Sequence, residues 1–306
     1  MSSILIKLPN WMGDILFSYD LLFTLSMKFD RVALLTSPAH AELFGIFPIP
    51  RSTVIAHENW PNLDRDAVKE IERFQPDLGL LLTNSFGSAL ALSLAGVPRL
   101  FGYATEHRKF LLKEAIPAPG RRLHQVEYYL ELLKLFGVRP VLYPLDVKEV
   151  KDLVVVIHPG ASKRERAWSP DRFLKLAESL KEKGAGVKFV TGEPIHGVDA
   201  VVRPPLHELA HILRNSALFV GNDSGPLHLA QQCGSAVVGI YGPGDPLITG
   251  PRPITPSRVV YHGYPCSPCR QRFFTECSPA PSGKPYCIET ISTAEVVKAA
   301  FDLLGV

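Results

Sequence analysis

The chain lacks the spaced glycines of a dinucleotide fingerprint, any apolar run long enough to span a bilayer, and a charge excess of either sign. After the first apolar run, Ile4 to Leu8, the loop Pro9-Asn10-Trp11-Met12-Gly13-Asp14 holds a single glycine where a dinucleotide-binding turn needs three at fixed spacing. A nicotinamide dehydrogenase is therefore disfavoured. The absence of a long apolar stretch excludes a helical membrane span. The opening MSSILIKLPNW has no basic start, signal-length apolar core or small-residue cleavage site, so folding in the cytoplasm is expected. With 33 basic against 30 acidic residues the net charge is only +3, too balanced for a nucleic-acid-binding surface, and no nucleic-acid partner is expected. Cysteine is scarce at five in 306 residues, which does not fit a secreted disulfide scaffold.

What is present is a repeated alternation of apolar runs and amphipathic stretches. Ile4–Leu8, Val32–Thr36, Thr53–Ala56 and Leu78–Leu82 read as strands separated by helices, and Leu153–Ile157, Val187–Thr191, Ala217–Val220 and Ala236–Tyr241 restart the pattern. Such spacing implies right-handed crossovers and parallel sheets. The helix from Phe86 to Ala95 is so apolar that burial is expected, and Leu123 to Phe136 reads as one long helix ending at Gly137. Arg139 to Asp146 is an extended, proline-stiffened connector, which places a domain boundary between 145 and 146.

The stretch from Ala217 to Pro246 carries the most chemistry. A strand stops at Gly221-Asn222 and gives way to Asp223-Ser224-Gly225, where Asp223 or Ser224 is expected to cap a helix with Pro226 in its first turn. The helix start offers unpaired N–H groups, and Gly225 lets a phosphate approach the backbone closely. Ser224 and His228, four apart, share a face of the first turn. A second loop, Gly242-Pro243-Gly244-Asp245-Pro246, leaves the next strand. The loop after Leu153–Ile157 brings Lys163 and Arg166 to a strand end, where open α/β sheets bind ligands, and would complete a pyrophosphate clamp. In the first half, His107, Arg108 and Lys109, with Arg121 and Arg122 beyond, are read by default as a solvated basic surface.

These segments together resemble glycosyltransferase family 9. The likeness rests on N-W-M-G-D at 10–14, N-S-F-x-S-A-L at 84–90, H-P-G-A at 158–161, R-A-W-S-P at 166–170, D-S-G-P-L-H-L-A at 223–230 and G-P-G-D-P at 242–246. It spans nearly the whole chain and is nearest the heptosyltransferase branch that adds the second inner-core heptose of lipopolysaccharide. The resemblance implies a GT-B fold, two Rossmann-like α/β domains with parallel sheets facing across a cleft. Residues 1–145 would bind the acceptor and 146–306 the nucleotide sugar, with the last helix, Thr293 to Leu304, packing back toward the first domain. It implies inverting transfer from ADP-heptose to an inner-core glycolipid, with Asp14 as general base where an N-cap aspartate is the plainer reading. Ser162, Lys163, Arg166, Ser224, Gly225 and His228 would hold the donor, and Glu193 would read ribose hydroxyls. Asp223, which would repel a diphosphate, is assigned to holding its loop through backbone N–H groups. Asn84, Ser85, His107, Arg108, Lys109, Arg121 and Arg122 would meet the acceptor at the cytoplasmic membrane face. No Asp-x-Asp pair lies near the diphosphate loops, so transfer is expected to need no metal. Two departures stand out: Gly244 replaces a threonine usual in the family, and Gly87 a lysine. A UDP-sugar transferase, an epimerase of the same architecture and a non-catalytic sugar-nucleotide or glycolipid-binding protein remain the alternatives.

Four of the five cysteines, Cys266, Cys269, Cys277 and Cys287, crowd one proline-rich segment. A four-thiolate zinc or iron site, two disulfides and unrelated thiols are the readings, of which a cytoplasmic location disfavours the second and the crowding the third. The segment also resembles one found in the heptosyltransferase branch. Cys233 ends the central helix and is read as core.

Overall fold

The structure, a computed structural model, describes residues 2–58, 60–146, 152–269 and 272–306. The chain divides into two compact units, Met1–Pro144 and Leu145–Val306.

The first unit is built on β1 (Ser3–Lys7), β2 (Arg31–Thr36), β3 (Ser52–Ala56), β4 (Leu78–Leu81), β5 (Leu100–Tyr103) and β6 (Glu114–Ile116), all parallel in the order β3-β2-β1-β4-β5-β6. Central strands are covered on both faces, so β1 and β4 are apolar and buried along nearly their whole length. The covering helices are amphipathic. Arg65–Phe74 starts where the Asp64 carboxylate accepts from Ala67 N at 2.8 Å, and it buries Ala67, Ile71 and Phe74. Three helices differ from the sequence reading, in which the stripe Ile15, Leu16, Leu21, Leu22 and Leu25 is a single helix ending near Lys28. The first loop is followed by Met12–Phe17 and Tyr19–Lys28, split at Ser18, whose hydroxyl donates back to Ile15 O at 2.7 Å. The long helix expected to Phe136 is α-helical over Gln125–Leu130 and 3₁₀ over Glu131–Phe136. The helix Phe86–Leu94 is not simply buried: Ser88, Ala89 and Leu92 face inward, while Phe86, Leu90 and Leu94 are exposed. The connector lies along Tyr19–Lys28, with Val141 N donating to Thr24 Oγ1 at 2.9 Å and Tyr143 N to Asp20 Oδ1 at 2.8 Å.

The second unit repeats the plan with β7 (Val154–His158), β8 (Gly186–Thr191), β9 (Ala200–Val202), β10 (Leu218–Asn222), β11 (Ala236–Tyr241) and β12 (Ser257–Tyr261) in the order β12-β11-β10-β7-β8-β9, again parallel. Counted from its own first strand, each sheet has the 3-2-1-4-5-6 order of a Rossmann fold. The C-terminal helix Thr293–Leu304 opens with a capping box between Ser292 and Glu295. It buries Val296, Ala299 and Ala300 in the core of its own unit, with Trp168, Phe173 and Leu180.

In a sheet of this order the crevice that admits ligands lies where the strand order reverses. That point falls between β1 and β4 in the first unit and between β7 and β10 in the second.

Candidate active site

The reversal point of the first sheet opens into a cavity of about 230 Å³ lined by Pro9, Asn10, Trp11, Asp14, Leu82, Thr83, Asn84, Ser85 and Tyr129. The loops after β1 and β4 thus meet there, and Asp14 is the carboxylate among its lining residues. Asp14 does not cap its helix: Trp11 is the N-cap residue, and Asp14 stands in the first turn. Its Oδ1 accepts from the Tyr129 hydroxyl at 3.3 Å. Burial raises its pKa above the ordinary carboxylate value, and the Tyr129 hydrogen bond partly opposes the shift. A half-buried carboxylate of raised basicity in a pocket of hydroxyls and amides suits proton abstraction from an alcohol. Tyr129, 115 residues away in sequence, was missed by sequence reasoning, since nothing local marks it.

The expected acceptor cations separate by burial. His107, Lys109, Arg121 and Arg122 are exposed, as a solvated basic surface would be. Arg108 is not: its side chain is fully buried, donating from Nε to Tyr103 O at 3.1 Å and from Nη1 to Thr83 O at 2.7 Å and Ser85 O at 3.2 Å. It meets backbone carbonyls and not solvent because His107 takes a left-handed turn, φ 57°, that sends residue 108 inward. Arg108 is therefore a positioning residue for the pocket wall at 83–85. In that wall Asn84 donates to the Tyr128 hydroxyl at 2.7 Å, and Ser85 caps the next helix by accepting from Ser88 N at 3.2 Å.

In the second unit, three loops leave the carboxyl ends of the neighbouring strands β7, β10 and β11. Asn222, read from sequence only as a turn residue, ties two of them together. Fully buried, it accepts from Trp168 N through Oδ1 at 2.9 Å and donates through Nδ2 to Pro159 O at 2.8 Å. The loop carrying Ser162, Lys163 and Arg166 is thereby fixed to the Ser224-Gly225 turn. Ser224 occupies the N-cap position of Gly225–Gln232 without capping it, because its hydroxyl donates to Asn222 O at 3.1 Å. His228 is buried in the following turn.

The role expected for Asp223 needs correction. Its buried carboxylate pairs with Arg166 Nη2 at 2.5 Å and accepts from the Thr249 hydroxyl at 3.4 Å, rather than gathering backbone N–H groups. Burial raises the Asp223 pKa and Arg166 opposes that shift. Arg166 also donates to Asp223 O at 2.9 Å and to Ser162 Oγ at 3.3 Å. The glycine at 244 now has a reason, since a Cβ there would lie 2.1 Å from Asp223 Oδ2. Glu193 sits on an exposed turn after β8, paired with Arg203.

The four clustered cysteines are all free thiols in a segment that braces these loops. Cys269 N donates to Pro243 O at 3.1 Å, the Ser267 hydroxyl to Gly242 O, and Lys284 Nζ to Ala167 O at 2.6 Å. The thiols are near neighbours. Cys266 and Cys277 share a hydrogen bond, and burial, with the other three thiols as a smaller cause, pushes Cys287 up to about 12. Yet among the described residues no three of Cys, His, Asp or Glu converge as metal ligands. The four-thiolate zinc or iron reading is therefore not supported among the described residues, and their cysteines form no disulfide.

The sequence profile of glycosyltransferase family 9 (heptosyltransferase) matches residues 65–277, and the chain belongs to that family. It is a glycosyltransferase of GT-B fold. Among characterised relatives, it is 24% identical over 283 residues to lipopolysaccharide heptosyltransferase 3 of Escherichia coli K12, covering 76% of this chain and 80% of the relative. It is 23% identical over 333 residues to lipooligosaccharide heptosyltransferase 2 of Campylobacter jejuni, covering 98% of both. The solved structure of E. coli ADP-heptose lipopolysaccharide heptosyltransferase II superposes with a TM-score of 0.79 at 20% identity, over 99% of this chain and 98% of that one.

Proposed function

We propose that this glycosyltransferase moves a heptose from ADP-heptose to a hydroxyl of the lipopolysaccharide inner core, with inversion at the anomeric carbon and no metal in the transfer step. The observation that carries the reading is Asp14, a carboxylate of raised pKa at the reversal point of the first sheet, hydrogen-bonded to Tyr129. In this mechanism the Asp14 carboxylate takes the proton of the acceptor hydroxyl as its oxygen bonds to the anomeric carbon. The bond from that carbon to the β-phosphate oxygen breaks, and ADP leaves with the electron pair. Arg166, Lys163 and the open N–H groups at the start of Gly225–Gln232 stabilise the charge gathering on the diphosphate. Arg166 has Asp223 as its partner, so diphosphate binding exchanges one anionic partner for another. Ser162, Ser224 and His228 hold the donor around it, and Glu193 reads the ribose. Asn84 and Ser85 line the acceptor side.

The acceptor is a membrane glycolipid in this reading, met by peripheral docking at the cytoplasmic face. No helix of the described residues is long and apolar enough to cross a membrane. Docking is supported by the exposed stripe Phe86, Leu90 and Leu94, four residues apart on one helix, beside exposed Phe110 and Lys109. The decisive assay is turnover with ADP-heptose and an acceptor carrying one heptose. ADP release coupled to a one-heptose mass gain is expected; turnover with UDP-sugars alone would point to another donor.

A further inference from the structure

Beside the Asp14 pocket, and sharing Pro9 and Asn10 with it, the first unit holds a second cavity of about 230 Å³ that the transfer mechanism leaves unused. It lies at the carboxyl ends of β1, β2 and β3, where Lys7, Thr36, Ser37, His57 and Trp60 line it. Lys7, the last residue of β1, is only 3% exposed. Its ammonium donates to Leu8 O at 2.7 Å and Asn10 Oδ1 at 3.2 Å and lies 4.5 Å from the centre of the Trp60 ring. None of these partners carries a full negative charge, and Lys7 has no ion pair among the described residues. The nearby acids do not supply one. Asp64 caps its helix and pairs with His57 at 3.3 Å, and Glu58 lines the cavity from an exposed position without contacting the ammonium.

A buried ammonium without a counter-ion is costly, and burial lowers the Lys7 pKa to about 8, which still leaves it charged at neutral pH. A second unmet demand stands in the same cavity: the Thr36 hydroxyl oxygen is buried and has no hydrogen-bond partner among the described residues. A cation without an anionic partner and a hydroxyl without any partner, in one recess, describe an anion site. The volume falls below that of a drug-sized ligand pocket and suits a single acidic group on a larger molecule.

We propose that this cavity is a subsite for one anionic substituent of the sugar acceptor, a carboxylate or a phosphate, with the Lys7 ammonium and the Thr36 hydroxyl as its donors. The proposal rests on the glycosyl-transfer reading for the identity of the ligand. Its link to that reading is the wall formed by Pro9 and Asn10, which puts a group bound here next to the pocket where Asp14 awaits a hydroxyl. The site would then select acceptors by the acid they carry.

The test uses the full chain and three forms of the acceptor: intact, phosphatase-treated and carboxyl-reduced. For the wild type, one neutralised form should lose kcat/KM about ten- to hundredfold, the size of a charge-assisted hydrogen bond, and which form loses it identifies the acid. Lys7→Met should show the same loss on the intact acceptor and no further loss on the neutralised one. If Lys7 only props the loop at 8–10, its variant would weaken all three forms equally, and the proposal would be overturned. Should Lys7→Met not fold, Thr36→Val, which removes a hydroxyl that no described group uses, should also narrow the difference between charged and neutralised forms. Failure of the wild type to glycosylate any form would count against heptose transfer alone. The cavity is read separately by titrating the Lys7 side-chain NMR resonance with inorganic phosphate and with acetate: a saturating shift, weakened in Thr36→Val, supports the anion site, and no shift from either ion overturns it.

Discussion

In the proposed mechanism Asp14 and Tyr129 together set the acid limit of the reaction. A general base must be ionised, so activity should fall as pH drops through a pKa that burial holds above the ordinary carboxylate value. Tyr129 opposes that shift by donating to the carboxylate, so Tyr129→Phe should move the acid limb of the kcat/KM profile to higher pH. A limb that stays in place would remove Tyr129 from the mechanism. Asp14→Asn should keep ADP affinity and lose turnover by about a hundred- to ten-thousandfold; near-normal turnover in a folded variant would end the assignment. In the second unit the same reasoning concerns Arg166 and Asp223. Arg166→Ala should weaken ADP more than adenosine in calorimetric titrations if, as proposed, the lost contact is to the diphosphate. It should also lower the melting temperature by stranding a buried carboxylate, a change worth about 3–5 kcal/mol when a buried pair is broken from one side. Adding Asp223→Asn should recover part of the stability and none of the ADP affinity. Equal losses for ADP and adenosine would place Arg166 outside the diphosphate site.

At the scale of elements, all the central strands but β5 were legible, while of the four edge strands only β3 was. Strands β1, β2, β4, β7, β10 and β11 are apolar runs because both faces of a central parallel strand are covered. Strands β5, β6, β9 and β12 went unread. Three of them are sheet edges, and β6 and β9 have only three residues each, too few for a pattern to emerge from the surrounding loops. The loops that carry the candidate site were visible through their glycines, prolines and cations, while the contacts that fix them were not. Asn222 looks like any turn residue, and Arg108 like any member of a basic cluster; only the fold shows Asn222, and the Nε and Nη1 of Arg108, donating to backbone carbonyls. Asn222→Ala should accordingly strand Trp168 N and Pro159 O, costing roughly 2 kcal/mol or more in denaturant unfolding, and weaken ADP although Asn222 need not touch it. Unchanged stability would show that the two loops are held by other contacts. The cysteine segment was recognisable as a unit, but its chemistry was not, because spacing does not show whether thiols converge. Alkylation of the native protein near pH 8 should label Cys266, Cys269 and Cys277 well before Cys233 and Cys287, both buried and with thiols pushed up to about 12. Early labelling of Cys287 by mass spectrometry would contradict this packing.

For the molecule as a whole, two sheets of identical strand order place a ligand crevice at the same topological point in each unit, and the first unit also exposes an apolar stripe. Phe86, Leu90 and Leu94 project from a helix whose other face carries the buried Ala89 and Leu92, so the stripe is not left over from core packing. Leu94 and Phe110 are the most exposed of the group at 79% and 76%. Scattered exposed apolar residues are ordinary, whereas a stripe of them beside lysine fits an interface with anionic lipid, in which apolar insertion and electrostatic attraction act together. The two contributions separate by salt: screening weakens the attraction of Lys109 and its basic neighbours for acidic head groups and leaves apolar insertion untouched. Sedimentation with anionic vesicles should therefore show binding that falls as salt rises but does not vanish. Leu94→Ser combined with Phe110→Ser should remove the salt-resistant fraction, while turnover on a short, water-soluble acceptor stays at the wild-type rate because neither residue lines the Asp14 pocket. Vesicle binding unchanged by the double substitution would move the membrane contact elsewhere on the protein, and an equal fall in soluble-acceptor turnover would show that the stripe serves the fold or the site instead.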